Sequence, residues 1–553
     1  MSKLSFGGKG KSSGGKAERG RQQQQRDERG KRGVGGGQGQ GGSGIGAQRR
    51  QGSGRGAAER SSGGRVAASA EASSGTAAWR DALPVQLQGI YEADVVGIGH
   101  EGEGVGRVNG FTLFVHGALP GERVRLRVTQ LKKQFGYAEL LEVLEPSADR
   151  VQPPCEVYDA CGGCQLQHLS YDAQLRWKRQ LVVDQLERIG KLKVAGRSVG
   201  DEGREEGQVG TEGVIVHETL GMTDSWRYRN KVQVPIGERE GGLVGGFYAR
   251  GSHDIVEMER CLLQSEASDE TVARVKKIGR ELGVAGYNAA TGEGVLRHVV
   301  VKHARGTDEL MVVLVVNGET LVREAEWVAR IREAVPGLTS LCLNVNMERT
   351  SLVFGEETRV LWGREVIYDT IGSTRFAISA RSFYQVNPIQ TEALYSAALR
   401  YAGLTGGEIV IDAYCGIGTI SLFLAPHARE VLGVEIVPEA IDDACANAEL
   451  NGIRNVRFAC GKAEDVLPAW REQGVACDVV VVDPPRKGCD PRLLETLIAL
   501  QPQRIVYVSC NPSTLARDLR VLEDGGYRTV EVQPVDMFPW TVHVESVILM
   551  VRE

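Results

Sequence analysis

The pattern of hydrophobic and polar positions changes three times along the chain. Residues 1–80 contain almost no large apolar side chains, as in the runs GGGQGQGGSG and QQQQRDERGKRG. A segment of this composition cannot bury enough apolar surface to offset the entropy lost on ordering. We therefore predict a disordered arm at 1–80, followed by folded domains.

A second pattern, of short alternating strands separated by glycine turns, runs from Gly89 to about Pro146. Strand-sized segments at this close spacing predict a small β-barrel of the kind that binds oligonucleotides, and we place it at 81–145. Candidates for phosphate contact and base stacking are Lys132, Lys133, Phe135 and Tyr137. A barrel that only packs against its neighbour is the alternative on the same residues.

The third pattern, at 146–370, mixes strands and helices and predicts a central α+β domain. It includes a helical stretch at 169–190 and an acidic, glycine-rich surface insertion at about 196–213. In WRYRNKVQV, strand alternation places three cations on one face, namely Arg227, Arg229 and Lys231. That face is either a track for RNA or an ordinary solvated surface.

Residues 371–553 alternate strand and helix in a pattern typical of a doubly wound α/β fold. Two apolar runs, VVVVDPP and RIVYVSCNP, stop abruptly at Asp483 and Cys510. Because parallel strands deliver their carboxyl ends to one edge of the sheet, we expect both side chains at a ligand-binding crevice. A thiol beside an acid indicates covalent chemistry there.

A glycine turn at 414–418 follows another strand of this region, and Glu435 ends the next strand nineteen residues after Gly416. Ser421 stands where a dinucleotide fingerprint requires its third glycine. A carboxylate at the position of Glu435 can accept the ribose hydroxyls of a nucleoside. The combination favours S-adenosyl-L-methionine over a dinucleotide, with a purely structural βα turn as the alternative.

The eleven cysteines do not indicate a disulfide framework in a large cytosolic chain, and their spacing points to a metal site or to catalysis. Four of them, with a Gly-Gly pair inside the cluster, suit an iron–sulfur cluster better than zinc: Cys155, Cys161, Cys164 and Cys261. Zinc and ordinary buried thiols remain alternatives. Cys510 stands before a helix N-terminus, which predicts a lowered thiol pKa, and the other six are expected to be buried.

Composition and charge add the cellular setting. The first 80 residues carry 16 Lys/Arg and five Asp/Glu, whereas the whole chain of 553 residues has a net charge of −5, leaving about −16 on the remainder. A basic arm on an acidic body indicates a partner with a phosphate backbone, or a solvated extension without a role. With no signal peptide and no apolar run long enough to cross a membrane, we expect a cytoplasmic protein without a membrane partner.

Several motifs together resemble one known family. DPPRKG, SCNPSTLARD, HVES and FYQVNPIQTEALY, with the four cysteines and the GxGxG and LPGE motifs of the barrel, are similar to the RNA (uracil-5-)-methyltransferases. The resemblance covers roughly 85–553 and is to the iron–sulfur branch that modifies 23S ribosomal RNA. It implies an α/β fold with a class I, Rossmann-like methyltransferase domain, an N-terminal TRAM barrel and a central α+β domain that binds a [4Fe–4S] cluster.

The resemblance also implies residue roles. Cys510 would add to C6 of uracil, and Glu545, which enters an apolar terminal strand, would remove the C5 proton. The positions that match the cofactor site are Gln385, Tyr414, Thr419, Glu435 and Asp483. The target uridine must be unpaired or flipped, since its reacting face is otherwise stacked. We expect a monomer that methylates ribosomal RNA.

Three rival functions remain at this point. One is the same chemistry on transfer RNA. Another is methylation of an exocyclic amine, which Arg486 after Asp483-Pro-Pro and the thiol of Cys510 disfavour. The third is a catalytically silent RNA-binding factor.

Overall fold

The computed structural model describes residues 83–195, 213–240 and 242–553. The predicted arm at 1–80 and nearly all of the predicted insertion at 196–213 lie outside these ranges. In the part of the chain that is described, no helix combines the length and apolar character that crossing a membrane requires.

The first folded unit is a closed five-stranded barrel, as the alternating pattern predicts. Its order is β1-β2-β3-β5-β4, closed by antiparallel pairing of β1 with β4. The strands are β1 (Ile90–Ile98), β2 (Gly104–Val108), β3 (Phe111–His116), β4 (Arg123–Leu131) and β5 (Phe135–Glu145). Along β4, Val124, Leu126 and Val128 are fully buried in the barrel core, while the arginines between them pair with glutamates on the outer surface.

A seven-stranded sheet follows, in the order β13-β12-β11-β10-β7-β8-β9. The elements in chain order are α1 (Tyr171–Arg188), β6 (Ile215–Val216), β7 (Lys231–Arg239), β8 (Gly242–Tyr248), β9 (Ile255–Glu257), α2 (Glu266–Glu281), β10 (Leu296–Ala304), β11 (Glu309–Val316), α3 (Glu324–Ala334), β12 (Leu338–Val345) and β13 (Glu357–Gly363). One face of β11 packs around Trp327 of α3, and the other joins the core of the next domain. Burial on both faces explains the continuous apolar sequence ELMVVLVV of β11.

The predicted basic strand face is wrong in this domain. The strand begins only at Lys231, because Arg227 has a left-handed backbone with φ 53°. The guanidinium of Arg227 donates hydrogen bonds to the Asp269 carboxylate at 2.7 Å and to the carbonyl of Cys261 at 2.8 Å. Arg227 therefore anchors the loop around Cys261 and does not share an outward face with Lys231.

A hairpin of β14 (Ile367–Ile371) and β15 (Thr374–Ile378) leads to the third unit, a twisted eight-stranded sheet with helices on both faces. Its elements are α4 (Pro388–Ala402), β16 (Ile409–Ala413), α5 (Thr419–Leu424), β17 (Glu430–Glu435), α6 (Pro438–Leu450), β18 (Val456–Cys460), α7 (Ala463–Glu472), β19 (Val479–Val482), α8 (Pro491–Leu500), β20 (Arg504–Ser509), α9 (Pro512–Asp524), β21 (Tyr527–Val535) and β22 (Glu545–Arg552). The order is β18-β17-β16-β19-β20-β22-β21-β6. This is the predicted doubly wound fold, with one antiparallel strand, β22, beside β20.

Each face of the eight-stranded sheet has its own core. Along β19, Val479 and Val481 pack into one core, and Val480 and Val482 pack into the other. The second core also takes residues from α1 and from β6, which pairs in parallel with the edge strand β21. Residues that precede the seven-stranded sheet in sequence thus cover one face of the eight-stranded sheet.

Candidate active site and cysteine centre

The carboxyl ends of four parallel strands meet at one edge of the eight-stranded sheet. Tyr414 follows β16, Glu435 ends β17, Asp483 follows β19 and Cys510 follows β20. The antiparallel strand β22 begins at the same edge with Glu545, because Ser509 pairs with Ser546. The fold therefore brings Asp483, Cys510 and Glu545 together, as expected of a sheet edge that binds ligands.

The Cys510 thiol stands between the end of β20 and the first turn of α9. The side chain of Asn511 caps this helix by accepting a hydrogen bond from the backbone N–H of Ser513 at 3.0 Å. Burial, followed by the charges of Glu545 and Asp483, raises the pKa of Cys510 to about 11, against a smaller lowering by Arg486. The prediction of a lowered pKa is wrong, because burial and two carboxyl groups outweigh the helix N-terminus.

The carboxyl groups around Cys510 have pKa values near neutrality. Burial, followed by the charge of Asp483, raises the pKa of Glu545 to about 8, against a smaller effect of Arg486. Burial and the charge of Asp412 raise the pKa of Asp483 to about 7. A carboxyl group with a pKa close to the working pH can both accept and release a proton, which suits Glu545 for general base catalysis.

A cavity of about 480 Å³ opens in front of Cys510. Its wall combines the barrel, α1 and the catalytic sheet, through His100, Glu101, Leu181, Gln185, Arg486 and residues 542–544. Burial and the charge of Arg486 lower the pKa of His543 to about 4, so this imidazole is neutral at pH 7. Sequence reasoning missed His100 and Gln185, since no local motif marks them, and it gave no role to His543, which begins the HVES motif; the fold brings all three to the cavity.

A second concave surface lies beside Glu435. The turn after β16 has positive φ angles at Tyr414 (70°), Gly416 (54°) and Gly418 (81°). The Glu435 carboxylate accepts hydrogen bonds from the backbone N–H groups of Gly416 at 3.2 Å and Val437 at 3.0 Å. A side chain at Gly416 would meet no atom within 4 Å, so the turn faces open space that a ligand can enter.

Exposed apolar residues extend this surface. Ile436 is 53% exposed and Val437 is 44% exposed, although both directly follow a buried strand. Such residues at a crevice provide a flat apolar contact for an aromatic ring. In the sequence VEIVPEA, the apolar pair Ile436-Val437 after Glu435 could have indicated this surface. The sequence analysis did not identify it.

Two further residues predicted to bind the cofactor, Gln385 and Thr419, each take part in a hydrogen bond. The Gln385 side chain is buried, and its backbone carbonyl accepts a hydrogen bond from the Asn230 side chain at 2.9 Å. Thr419 begins α5, with its hydroxyl 2.8 Å from the hydroxyl of Tyr395. Burial raises the pKa of Tyr395, and the neighbouring charges of Asp483 and Glu545 add to that shift.

The four clustered cysteines line one cavity of about 280 Å³, beside the start of the seven-stranded sheet. Cys161 and Cys164 are buried, and Cys155 and Cys261 are half-buried. The Arg250 guanidinium donates hydrogen bonds to the carbonyls of Cys161 at 3.3 Å and Cys164 at 3.1 Å, which fixes the loop that carries these thiols. We call this group of four thiols the cysteine centre.

Burial raises the thiol pKa to about 12 at Cys164 and about 11 at Cys261. Among the described residues, no group of three or more His, Cys, Asp or Glu side chains is arranged to hold a metal ion. The expectation that the remaining cysteines are buried is wrong for Cys445 and Cys460, which are exposed.

Comparisons with known proteins agree with this architecture. Residues 355–553 match the tRNA (Uracil-5-)-methyltransferase family, and residues 86–141 match the TRAM domain. An uncharacterised RNA methyltransferase of Halalkalibacterium halodurans is 55% identical over 471 residues, which are 85% of this chain and 99% of the relative. Another, from Bacillus cereus, is 50% identical over 469 residues, which are 85% of this chain and 98% of the relative.

A solved structure covers nearly the same residues. The tRNA (uracil-54, C5)-methyltransferase of Pyrococcus abyssi, in complex with S-adenosyl-L-homocysteine, is 28% identical, with a TM-score of 0.63, and the match covers 83% of this chain and 100% of that protein. The family match coincides with the sheet edge that holds Cys510 and Glu545, and the TRAM match coincides with the barrel. The chain therefore belongs to the RNA (uracil-5-)-methyltransferase family and is an S-adenosyl-L-methionine-dependent RNA methyltransferase.

Proposed function

We propose that this enzyme methylates C5 of a uridine in 23S ribosomal RNA through a covalent adduct between Cys510 and C6 of the base. The observation that carries the proposal is the placement of Cys510 and Glu545 at adjoining strand ends, beside a cavity of about 480 Å³. A nucleophile and a base so arranged can act on the two carbons of one double bond. Uracil, with its reactive C5–C6 bond, meets that requirement.

The proposed chemistry assigns one role to each group. The Cys510 thiolate adds to C6, which makes C5 nucleophilic enough to take up the methyl group. Glu545 then removes the C5 proton, the C5–C6 double bond re-forms, and the bond between Sγ and C6 breaks. Arg486 favours the thiolate, since its charge opposes the effect of the two carboxyl groups on the pKa of Cys510.

The proposed cofactor site lies beside Glu435. S-adenosyl-L-methionine supplies an electrophilic methyl group on a positively charged sulfur. The Glu435 carboxylate would accept the ribose hydroxyls, and the open space above Gly416 lets a ligand approach the backbone. Ile436 and Val437 offer an apolar contact for the adenine ring. We assign the other contacts to Gln385, Tyr414, Thr419 and Asp483.

We propose that the cysteine centre binds a [4Fe–4S] cluster. The chemistry of the donors supports this, since four thiols line a single cavity of about 280 Å³, although in the described structure no three of them are arranged to hold a metal ion. A zinc ion held by four thiolates at about 2.3 Å leaves no comparable space. Such a cluster supplies structural cross-links, and no redox step is needed for methyl transfer. Protein purified without oxygen should contain iron, sulfide and brown absorbance, whereas stoichiometric zinc without iron would overturn this assignment.

The proposed division of labour follows the three folded units. The barrel grips unpaired RNA, the central domain holds the cluster, and the doubly wound domain performs the chemistry on a flipped uridine. The aromatic rings of Phe135 and Tyr137 pack against Phe114, with centroids 5.5 and 5.8 Å away, on the barrel. We propose that the enzyme acts as a monomer in the cytoplasm.

A second candidate substrate is transfer RNA, which the similarity to the Pyrococcus abyssi enzyme favours. The two substrates are separated by assaying methyl transfer to purified, unmodified ribosomal RNA and transfer RNA in parallel. We expect 5-methyluridine in 23S ribosomal RNA, identified by mass spectrometry of nucleosides. Methylation confined to transfer RNA would overturn the substrate assignment and leave the chemistry intact.

The covalent step has its own test. RNA with 5-fluorouridine at the target position cannot lose a proton from C5, so the adduct should persist as a protein–RNA complex in denaturing gels. A cross-linked peptide containing Cys510 would identify the nucleophile. Release of free methylated RNA without any adduct would favour methylation of an exocyclic amine instead.

A further inference from the structure

The segment 536–544 joins β21 to β22 and leads directly into Glu545. At its start, Asp536 is fully buried and accepts hydrogen bonds from Lys178 Nζ at 2.5 Å and from the Tyr171 hydroxyl at 2.8 Å. Lys178 also donates to the carbonyl of Phe538 at 3.1 Å. Both donors lie on α1. The segment that leads into Glu545 is therefore held by a helix that lies much earlier in the chain.

Trp540, in the middle of this segment, has an unusual backbone conformation. Its φ is 69°, a left-handed value that a tryptophan rarely adopts. Its carbonyl accepts hydrogen bonds from the N–H groups of Gln165 and Leu166, both at 3.1 Å, and its N–H donates to the Gln174 side chain at 3.1 Å. Backbone strain of this kind persists only where the surroundings enforce it.

The indole of Trp540 belongs to the buried cluster that adjoins the cysteine centre. It stacks on Trp226 with centroids 4.1 Å apart and planes at 12°, and its Nε1 donates to the Ser225 carbonyl at 3.0 Å. The same buried cluster contains Cys164, and Cys155 and Cys261 pack against it. Trp540, which precedes Glu545 in the chain, therefore shares a buried cluster with thiols of the central domain.

We propose that Trp540 is a positioning residue that couples the cysteine centre to Glu545. The proposal rests on the proposed role of Glu545 as the base. At that step the C5–H bond breaks and the proton passes to the Glu545 carboxylate. The electron pair left behind forms the C5–C6 double bond, and the Sγ–C6 pair returns to Cys510.

Displacement of the segment 536–544 should slow removal of the C5 proton by Glu545. It should not affect the earlier addition of Cys510 to C6. Cys510 is positioned separately, since Asn511 caps α9 and donates a hydrogen bond to the Arg486 carbonyl at 3.2 Å. A base misplaced by about 1 Å can cost on the order of 100-fold in rate. Loss of the Trp540 contact therefore predicts normal formation of the adduct and slow release of product.

The experiment compares single-turnover kinetics of the full-length holoenzyme and four variants on RNA that contains the target uridine. Trp540→Ala and Trp226→Ala remove the stack from either side, and Trp540→Phe keeps an aromatic ring. Trp362→Ala is the matched control. Trp362 lies on β13 of the seven-stranded sheet, where the Arg332 guanidinium of α3 stacks over its ring. We expect a methylated covalent adduct to accumulate in both stack-removing variants, with its release slowed on the order of 100-fold.

Trp540→Phe should restore most of the release rate, and Trp362→Ala should match the unmodified enzyme. Hydrogen exchange of the amides at 542–546 supplies a readout independent of activity, and it should accelerate in Trp226→Ala, where the segment itself is unchanged. Equal slowing of adduct formation and release, or unchanged exchange, would overturn the proposal. Adduct formation by Cys510→Ala would instead overturn the proposed function, so the two failures are distinguishable.

Discussion

The molecule contains two thiol environments in which burial raises the thiol pKa to a similar value, although Cys164 is buried, Cys510 is only half-buried, and their neighbours differ. Burial raises the thiol pKa to about 12 at Cys164 and to about 11 at Cys510. Around Cys164 the nearest interacting groups include the thiols of Cys261 and Cys161, whereas around Cys510 they are the carboxyl groups of Glu545 and Asp483 and the guanidinium of Arg486. Burial alone therefore does not separate a metal ligand from a nucleophile.

The groups that surround each thiol distinguish a metal ligand from a nucleophile. Thiols grouped with one another lose their protons when a metal is bound, so their raised pKa values do not oppose a role as ligands. A single thiol between a cation and two carboxyl groups has partners that can exchange protons with a substrate. The comparison supports the two proposed roles, cluster binding by the cysteine centre and covalent chemistry by Cys510, and substitution can break each proposal.

The largest effect is expected from Cys510→Ala. Without a nucleophile, methyl transfer should fall at least about 10⁴-fold and no adduct should form with 5-fluorouridine RNA. Cys445→Ala is the control, since Cys445 is an exposed thiol on α6, and it should retain full activity. An unchanged methylation pattern in cells that carry only Cys510→Ala would indicate a catalytically silent RNA-binding factor.

The next effect tests the other thiol environment. Cys161→Ser should abolish bound iron and lower the free energy of unfolding by about 4 kcal/mol, because loss of a metal site belongs to the most destabilising class of substitutions. Iron analysis and denaturant unfolding check this. Cys342→Ser is matched to it, since Cys342 is a buried thiol of the seven-stranded sheet. Iron retained by Cys161→Ser and lost by Cys342→Ser would reverse the assignment.

Different features of the sequence predict the residues of the two environments. The catalytic edge could be predicted from strand ends, because the apolar runs before Asp483 and Cys510 can only be buried strands. The cysteine centre could be predicted as a donor set from its spacing. In both cases the sequence identifies the residues and leaves their electrostatic surroundings open.

Those surroundings come from distant parts of the chain. The pKa of Cys510 depends on Glu545, which reaches it only through the antiparallel pairing of β22 with β20. Arg227 fits the alternation of a strand, yet its left-handed backbone and its contact with Asp269 remove it from the predicted basic face. His100 and Gln185 enter the substrate cavity because the barrel and α1 pack against the catalytic sheet.

An effect of similar size is expected on the pH dependence of stability, from Glu545→Gln. The pKa of Glu545 is about 8 in the folded protein, above its ordinary value of 4.5. Its contribution to stability is thus complete below about pH 4.5 and is lost as the pH rises through about 8, by about 1.4 kcal/mol per pKa unit. Glu545→Gln should therefore gain stability relative to the unmodified protein as the pH increases.

Urea unfolding at pH 5, 6.5 and 8 measures this difference. Glu392→Gln on α4 serves as the control, since Glu392 is exposed, and its effect should not change with pH. A Glu545→Gln difference that is constant over the same range would show that Glu545 is charged throughout, and would remove the neutral carboxyl group from the environment of Cys510.

The smallest effect concerns the cation that distinguishes the two environments. Arg486 lowers the pKa of Cys510 against Glu545 and Asp483, so Arg486→Gln should raise that pKa and slow alkylation of Cys510 at fixed pH by up to about 10-fold, the equivalent of one pKa unit. Peptide-level mass spectrometry after iodoacetamide treatment isolates this thiol from the other ten. Arg492→Gln, which removes an exposed arginine paired with Asp465 on the same side of the domain, should leave the rate unchanged. Equal alkylation rates in both variants would mean that the carboxyl groups act on Cys510 without opposition, and the thiolate would then have to form by proton transfer to one of them.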